Sequence, residues 1–153
     1  MDGTGSMLRA VGGRELVVHG RDGKRPGTSD LAVTLASVPD SVPAARHHLD
    51  ALAERLDARR LDELRLLVSE VVGNSVRHGD GAGPIELRVA VGSSSVRVEV
   101  EDPGHGFRPA PGTRRAEQSD GWGLLLVQRL AARWGVIAAG TTLVWFELDH
   151  ASG

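Results

Sequence analysis

Ser69-Glu70-Val71-Val72-Gly73-Asn74-Ser75-Val76-Arg77-His78-Gly79 sets three polar groups at four-residue spacing in a segment otherwise patterned as a buried helix. Each four-residue step along an α-helix turns the side chain by only about 40°, so Glu70, Asn74 and His78 form one stripe. A carboxylate, an amide and an imidazole then face the same place. Leu64, Leu67, Val68, Val71, Val72 and Val76 make the apolar stripe that packs on a sheet or another helix, and Gly79 is the C-terminal stop. Gly73, which costs on the order of 1 kcal/mol relative to Ala in a helix, is read as a point of close packing. Amphipathic helices also carry Glu and Asn simply as a solvated face, so the weight of the stripe depends on what lies downstream.

Downstream, Val98-Glu99-Val100-Glu101-Asp102-Pro103-Gly104-His105-Gly106-Phe107 is an alternating strand that runs into Asp-x-Gly-x-Gly. This pattern puts a carboxylate at the mouth of a sheet, and the glycines let backbone approach a flat ligand such as a purine; the same residues also make an ordinary turn. Next, Ser119-Asp120-Gly121-Trp122-Gly123-Leu124-Leu125-Leu126 is a Gly-x-Gly that opens an apolar helix. Unpaired N–H groups and the helix dipole make such a start a place for phosphate, or else a loop closing on an N-cap at Asp120 or Ser119. Other phosphate-binding patterns are missing: there is no Gly-x-x-x-x-Gly-Lys-Ser/Thr, and no Gly-x-Gly-x-x-Gly follows the first strand.

The chain has 153 residues, 41% hydrophobic, which suits one domain with a single core. A net charge of -2 and a pI near 6.3 give no basic field, so no direct nucleic-acid partner is expected. Cysteine is absent, which removes disulfides, thiolate metal sites and thiol nucleophiles. The start lacks a basic segment followed by a long apolar run, and no stretch has membrane-spanning length. A cytoplasmic protein without membrane contact is the expectation.

Residues 1–30 are rich in Gly, Arg and Asp and read as a flexible N-terminal tail, with a strand at the apolar patch Leu16-Val17-Val18 as the lesser alternative and 31–150 as the folded domain. Leu31 to Val38 is a strand ended by Pro39. Asp40 or Ser41 then caps a helix running to about Asp57, with Pro43 in its first turn. Adjacent His47 and His48 point about 100° apart on that helix and cannot chelate one ion together, so one is expected buried and the other exposed. Leu61 to His78 is the second helix. Ile85 to Val91 and Ser95 to Glu101 form a hairpin across Gly92-Ser93-Ser94. Pro103 to Asp120 has too many Gly, Pro and Arg residues for a regular element and reads as a mobile lid. A third helix from Trp122 to about Arg133 and strands near Val136 and at Leu143 to Leu148 close the order. The fold class is α+β: a two-layer sandwich with a mixed, mostly antiparallel sheet and helices on one face.

Glu70-x-x-x-Asn74, Asp102-x-Gly104-x-Gly106, Gly121-x-Gly123-Leu124 and Gly140-Thr141-Thr142 occur in the order of the four nucleotide motifs of the GHKL (Bergerat-fold) ATPases. From about Leu31 to Leu148 the chain most resembles the bacterial anti-sigma-factor serine/threonine kinases of that superfamily. The resemblance implies ATP and Mg²⁺ as cofactors, with Asn74 as metal ligand and Glu70 as general base. It also implies that Asp102 accepts a hydrogen bond from the adenine amino group, with Thr141 supporting the same base. His78, Gly104, Gly106, Gly121, Trp122, Gly123 and Leu124 complete the expected binding set, while Arg77 faces a phosphate or solvent. By resemblance the protein is a kinase that phosphorylates an antagonist protein and sequesters a sigma factor, with homodimerisation as an option. The alternative is a non-catalytic, nucleotide-dependent module that switches a partner.

Overall fold

A computed structural model of the chain describes residues 6–11, 14–19, 29–78, 83–104, 122–138 and 140–149; for 6–11, 14–19, 78, 122, 123 and 138 it describes the backbone alone. Strands β1 (Ser6–Val11) and β2 (Arg14–His19) pair antiparallel as a separate two-stranded sheet, and β2 lies close to β6. The segment read from composition as a tail therefore contains a hairpin. Its apolar run Leu16-Val17-Val18 falls within β2.

The main sheet has five strands: β3 (Leu31–Leu35), β4 (Ile85–Val91), β5 (Ser95–Asp102), β6 (Arg133–Ala138) and β7 (Thr142–Asp149). Their order across the sheet is β3-β4-β5-β7-β6, and every pairing among these described strands is antiparallel. Alternation decides the layering, because successive side chains on a strand point to opposite faces. Leu87, Val100 and Val144 stand in register across β4, β5 and β7, as do Val89, Val98 and Phe146, and all are buried. These rows face the helices.

Three helices cover that face: α1 (Ser41–His48), α2 (Ala58–His78) and α3 (Trp122–Leu130). Leu64, Leu67, Val68, Val71 and Val72 of α2 are almost wholly buried, as the apolar stripe requires, and join the sheet residues in one core. Truncation of Leu67 to Ala should cost about 2–5 kcal/mol, since no solvent reaches it and a cavity would remain. Together the elements form the expected α+β sandwich.

Several boundaries differ from the sequence expectations for local reasons. β3 ends at Leu35, since the Ala36 carbonyl accepts a hydrogen bond from Ser41 Oγ at 2.6 Å. Asp40 has helical dihedrals and makes no side-chain cap, so Ser41 tethers the start of α1 through that bond. α1 stops at His48 and tightens into a 3₁₀ turn over Leu49–Leu52, short of Asp57. His47 and His48 are both exposed, and His47 Nδ1 lies 3.5 Å from Asp50. α2 begins earlier than Leu61 because Asp57 Oδ1 accepts the Arg60 N–H at 2.8 Å, an N-cap bond. α3 ends at Leu130, and Arg133 instead opens β6, where its guanidinium pairs with Glu147 (2.6 Å) and Asp149 (2.7 Å).

The opposite face of the sheet carries a charged ladder. Arg88 stands opposite Glu99 and bonds it at 3.1 Å; Arg97 stands opposite Glu147 and bonds it at 3.0 Å. Arg97 also reaches Glu99 at 3.1 Å and lies 4.3 Å over the ring of Trp145. Glu99 (4% exposed) and Trp145 (1%) are thus buried on the side away from the helices. Directly opposed charges and a cation over an indole face are the sheet counterpart of helical ion pairs, and they fix the β4-β5-β7 register.

Candidate functional site

Asp102 is the last residue of β5, and in register with it stands Thr142, the first residue of β7. Both belong to the helix-facing row, one pair beyond Val100 and Val144, where the apolar core gives way to polar groups. Asp102 is 6% exposed and Thr142 2%, so each needs a partner. Both find it in Gly104. Asp102 Oδ1 accepts the Gly104 N–H at 2.9 Å, and Thr142 Oγ1 donates to the Gly104 carbonyl at 2.9 Å. The two strand ends and the start of the glycine loop are thereby tied into one unit.

Over this unit passes α2. Val71, Asn74 and Ser75, at i, i+3 and i+4 on one helix face, line a cleft together with Asp102, Thr142, Val144 and Leu124 of α3. The cleft combines apolar walls from Val71, Val144 and Leu124 with polar groups at Asn74, Ser75, Asp102 and Thr142, the mixed lining typical of small-molecule sites. Asn74 is 7% exposed, and its Oδ1 accepts a hydrogen bond from Arg77 Nη2 at 2.7 Å.

The residues singled out in the sequence are distributed as follows. Asn74, Asp102 and Leu124, from three distant segments, line the same cleft, and Gly104 is buried beside it. Glu70 is half-buried one turn before Asn74 but does not line the cleft, and no described side chain pairs with it. His78 is the last residue of α2, and Trp122 and Gly123 open α3; their side-chain placement lies outside the described residues, as do Gly106, Gly121 and all of the expected Pro103 to Asp120 lid beyond Gly104. Thr141 does not line the cleft: its hydroxyl donates to Glu101 Oε2 at 2.9 Å, a residue of the charged face. Thr142 lines the cleft instead, because it stands in the helix-facing row opposite Asp102 and side chains alternate along the strand.

Val71, Ser75, Thr142 and Val144 were not singled out as site residues in the sequence. The first two carried a legible signal, since they sit three residues before and one after Asn74 on a helix of period 3.6. Thr142 and Val144 needed the β5-β7 register.

Among the described residues no group of three or more His, Asp or Glu side chains is placed to hold a metal. The cleft presents oxygen donors at Asn74, Ser75, Asp102 and Thr142. This set suits Mg²⁺, which keeps several waters and takes much of its coordination from phosphate oxygens; it does not suit a metal that requires an all-protein cage. Also among the described residues, no helix is long and apolar enough to cross a membrane.

Over residues 35–146 the chain matches the family described as the histidine kinase-like ATPase domain, and it belongs to that family, of the GHKL type that binds ATP. A search of curated proteins finds no match to the chain.

Proposed function

We propose that the protein is an ATP-dependent regulator of the anti-sigma-factor type: a serine/threonine protein kinase that phosphorylates an antagonist protein and otherwise sequesters a sigma factor. The observation that carries the nucleotide site is the convergence of Asn74, Asp102 and Thr142 on one cleft. In this assignment Asp102, oriented by the Gly104 N–H, accepts the adenine amino group. A hydrogen bond to a charged acceptor of this kind contributes about 1.5–3 kcal/mol, one to two powers of ten in affinity. Thr142 supports the base from the neighbouring strand, and Leu124 and Val144 enclose the ring. Asn74 is the protein ligand of Mg²⁺. When bound, the metal neutralises charge on the phosphate oxygens.

Glu70 is the proposed general base. Its carboxylate takes the proton of a substrate serine or threonine as that oxygen bonds to the γ-phosphorus and the bond to ADP breaks. Its place one helical turn before Asn74 supports this role. The second reading is a nucleotide-dependent switch without phosphoryl transfer. It is favoured by one observation: Glu70 stands outside the described lining of the cleft.

Labelled ATP with candidate antagonist proteins from the same genome tests the proposal. Transfer of label to serine or threonine supports the kinase, and its loss in Glu70→Ala assigns the base. Tight ATP binding with no transfer to any antagonist supports the switch instead.

A further inference from the structure

We infer that Arg77 is a tethered cation that holds the Asn74 amide oxygen against the metal, so that loading of the site with magnesium requires this arginine to swing away. The inference deepens the proposed function and rests on the assignment of Asn74 as metal ligand.

Asn74 Oδ1 is the atom a magnesium ion would need, and in the structure it accepts Arg77 Nη2 at 2.7 Å. The guanidinium thus places a positive charge on the acceptor that the resemblance assigns to a divalent cation. Side chains of a helix lean toward its N-terminus, which brings residue i+3 back over residue i. Gly73 leaves the surface low there: a Cβ built on it would stand 3.5 Å from Arg77 Nη1. Arg77 therefore lies back along its own helix, with its head group at the buried amide.

The two partners differ in freedom. Asn74 is buried and lines the cleft, whereas Arg77 is exposed, so its guanidinium can move into water without disturbing the core. An i, i+3 contact on a helix surface is weak by itself. It matters here because a tethered charge competes at high effective concentration with an ion that sheds its water reluctantly. The expected consequence is a raised magnesium requirement: the site loads only when metal and nucleotide phosphates together outcompete the arginine.

The test is ADP binding measured by calorimetry across a series of MgCl₂ concentrations, on the wild type and on Arg77→Met, which keeps the apolar stem and removes the charge. Thermal unfolding of both establishes that the variant is folded, and Arg77→Ala serves as the second variant. The magnesium concentration at half-maximal binding should fall roughly three- to tenfold in both variants, the range expected from loss of one exposed hydrogen bond of ordinary net strength. Affinity at saturating magnesium should stay unchanged. A magnesium-dependent wild type with an unchanged midpoint in the variants overturns the gate and leaves the metal assignment standing. A raised midpoint also overturns it, since Arg77 would then assist loading. A wild type that binds ADP equally with and without magnesium overturns the metal assignment and the gate with it.

Discussion

Asp102 and Thr142 face each other across the β5-β7 ladder and grip the same residue from opposite strands, the aspartate through the Gly104 N–H and the threonine through its carbonyl, each at 2.9 Å. The arrangement holds the carboxylate by backbone geometry, so a ligand meets a preformed acceptor and need not order one. Preorganisation of this kind reduces the cost of binding.

Thr142→Val and Thr141→Val should therefore behave differently although they are neighbours. Thr142→Val loses a buried hydrogen bond and should cost about 1–3 kcal/mol of stability together with a drop in ATP affinity. Thr141→Val breaks a half-buried contact to Glu101 on the other face and should leave ATP affinity unaltered. Calorimetry with ATP, beside urea unfolding of both variants, checks the contrast. Equal losses of affinity would mean that the strand parity does not select the site residue.

Binding and chemistry should separate at α2. Asn74→Ala is expected to abolish the magnesium dependence of nucleotide binding, and Glu70→Ala to keep affinity while losing phosphoryl transfer by several powers of ten, as removal of a positioned base does. Affinity and single-turnover transfer measured on each variant decide it. Full transfer by Glu70→Ala would point to the switch without catalysis.

Gly73 is buried in α2, yet a Cβ built on it meets only Arg77 Nη1 at 3.5 Å and Val42 Cγ2 at 3.9 Å, both ordinary contacts. Gly73→Ala should consequently stabilise the protein by up to about 1 kcal/mol through helix propensity. A denaturant midpoint lower than that of the wild type would show that the helix cannot accept the methyl group.

Asp30 joins three segments: its carboxylate accepts the Val91 N–H at 2.7 Å and Arg55 Nη1 at 2.6 Å. The backbone bond from Val91, followed by the bond from Arg55, holds its pKa below the ordinary value of 3.8. A depressed carboxyl stabilises the fold above its unfolded value, and that contribution is lost as pH falls through the lower folded value. Asp30→Asn should thus be less stable than the wild type by about 0.5–1.5 kcal/mol at neutral pH. The two unfolding free energies should converge well below pH 3.8. A difference that persists undiminished in strong acid would assign the effect to packing instead of charge.

Much of this fold was legible because it is periodic. The α2 stripe and the alternation of β4 and β5 fix which side chains enter the core, and the β4-β5 turn falls on Gly92-Ser93-Ser94 as expected, closed by the Gly92 N–H on the Ser95 carbonyl at 2.8 Å. Element ends were less legible, since Ser41 and Asp57 act through single hydrogen bonds to Ala36 and Arg60 that depend on local dihedrals. Parity at Thr141 and Thr142 could not be read either. Two adjacent threonines after Gly140, which takes φ of 85°, give no sign of where alternation begins until the Asp102-Thr142 pairing is known. The hairpin of β1 and β2 was hidden by a glycine- and arginine-rich composition in which one short apolar run is the main trace of a strand.

Calorimetric titration of ATP and ADP in the presence of Mg²⁺ into wild type and Asp102→Asn decides whether Asp102 is the base-reading acceptor of an ATP site. The amide keeps an oxygen for the Gly104 N–H but removes the charge offered to the adenine amino group. The variant should unfold cooperatively near the wild-type temperature and bind both nucleotides about ten- to a hundredfold more weakly. Wild-type affinity in that folded variant would remove Asp102 from the site.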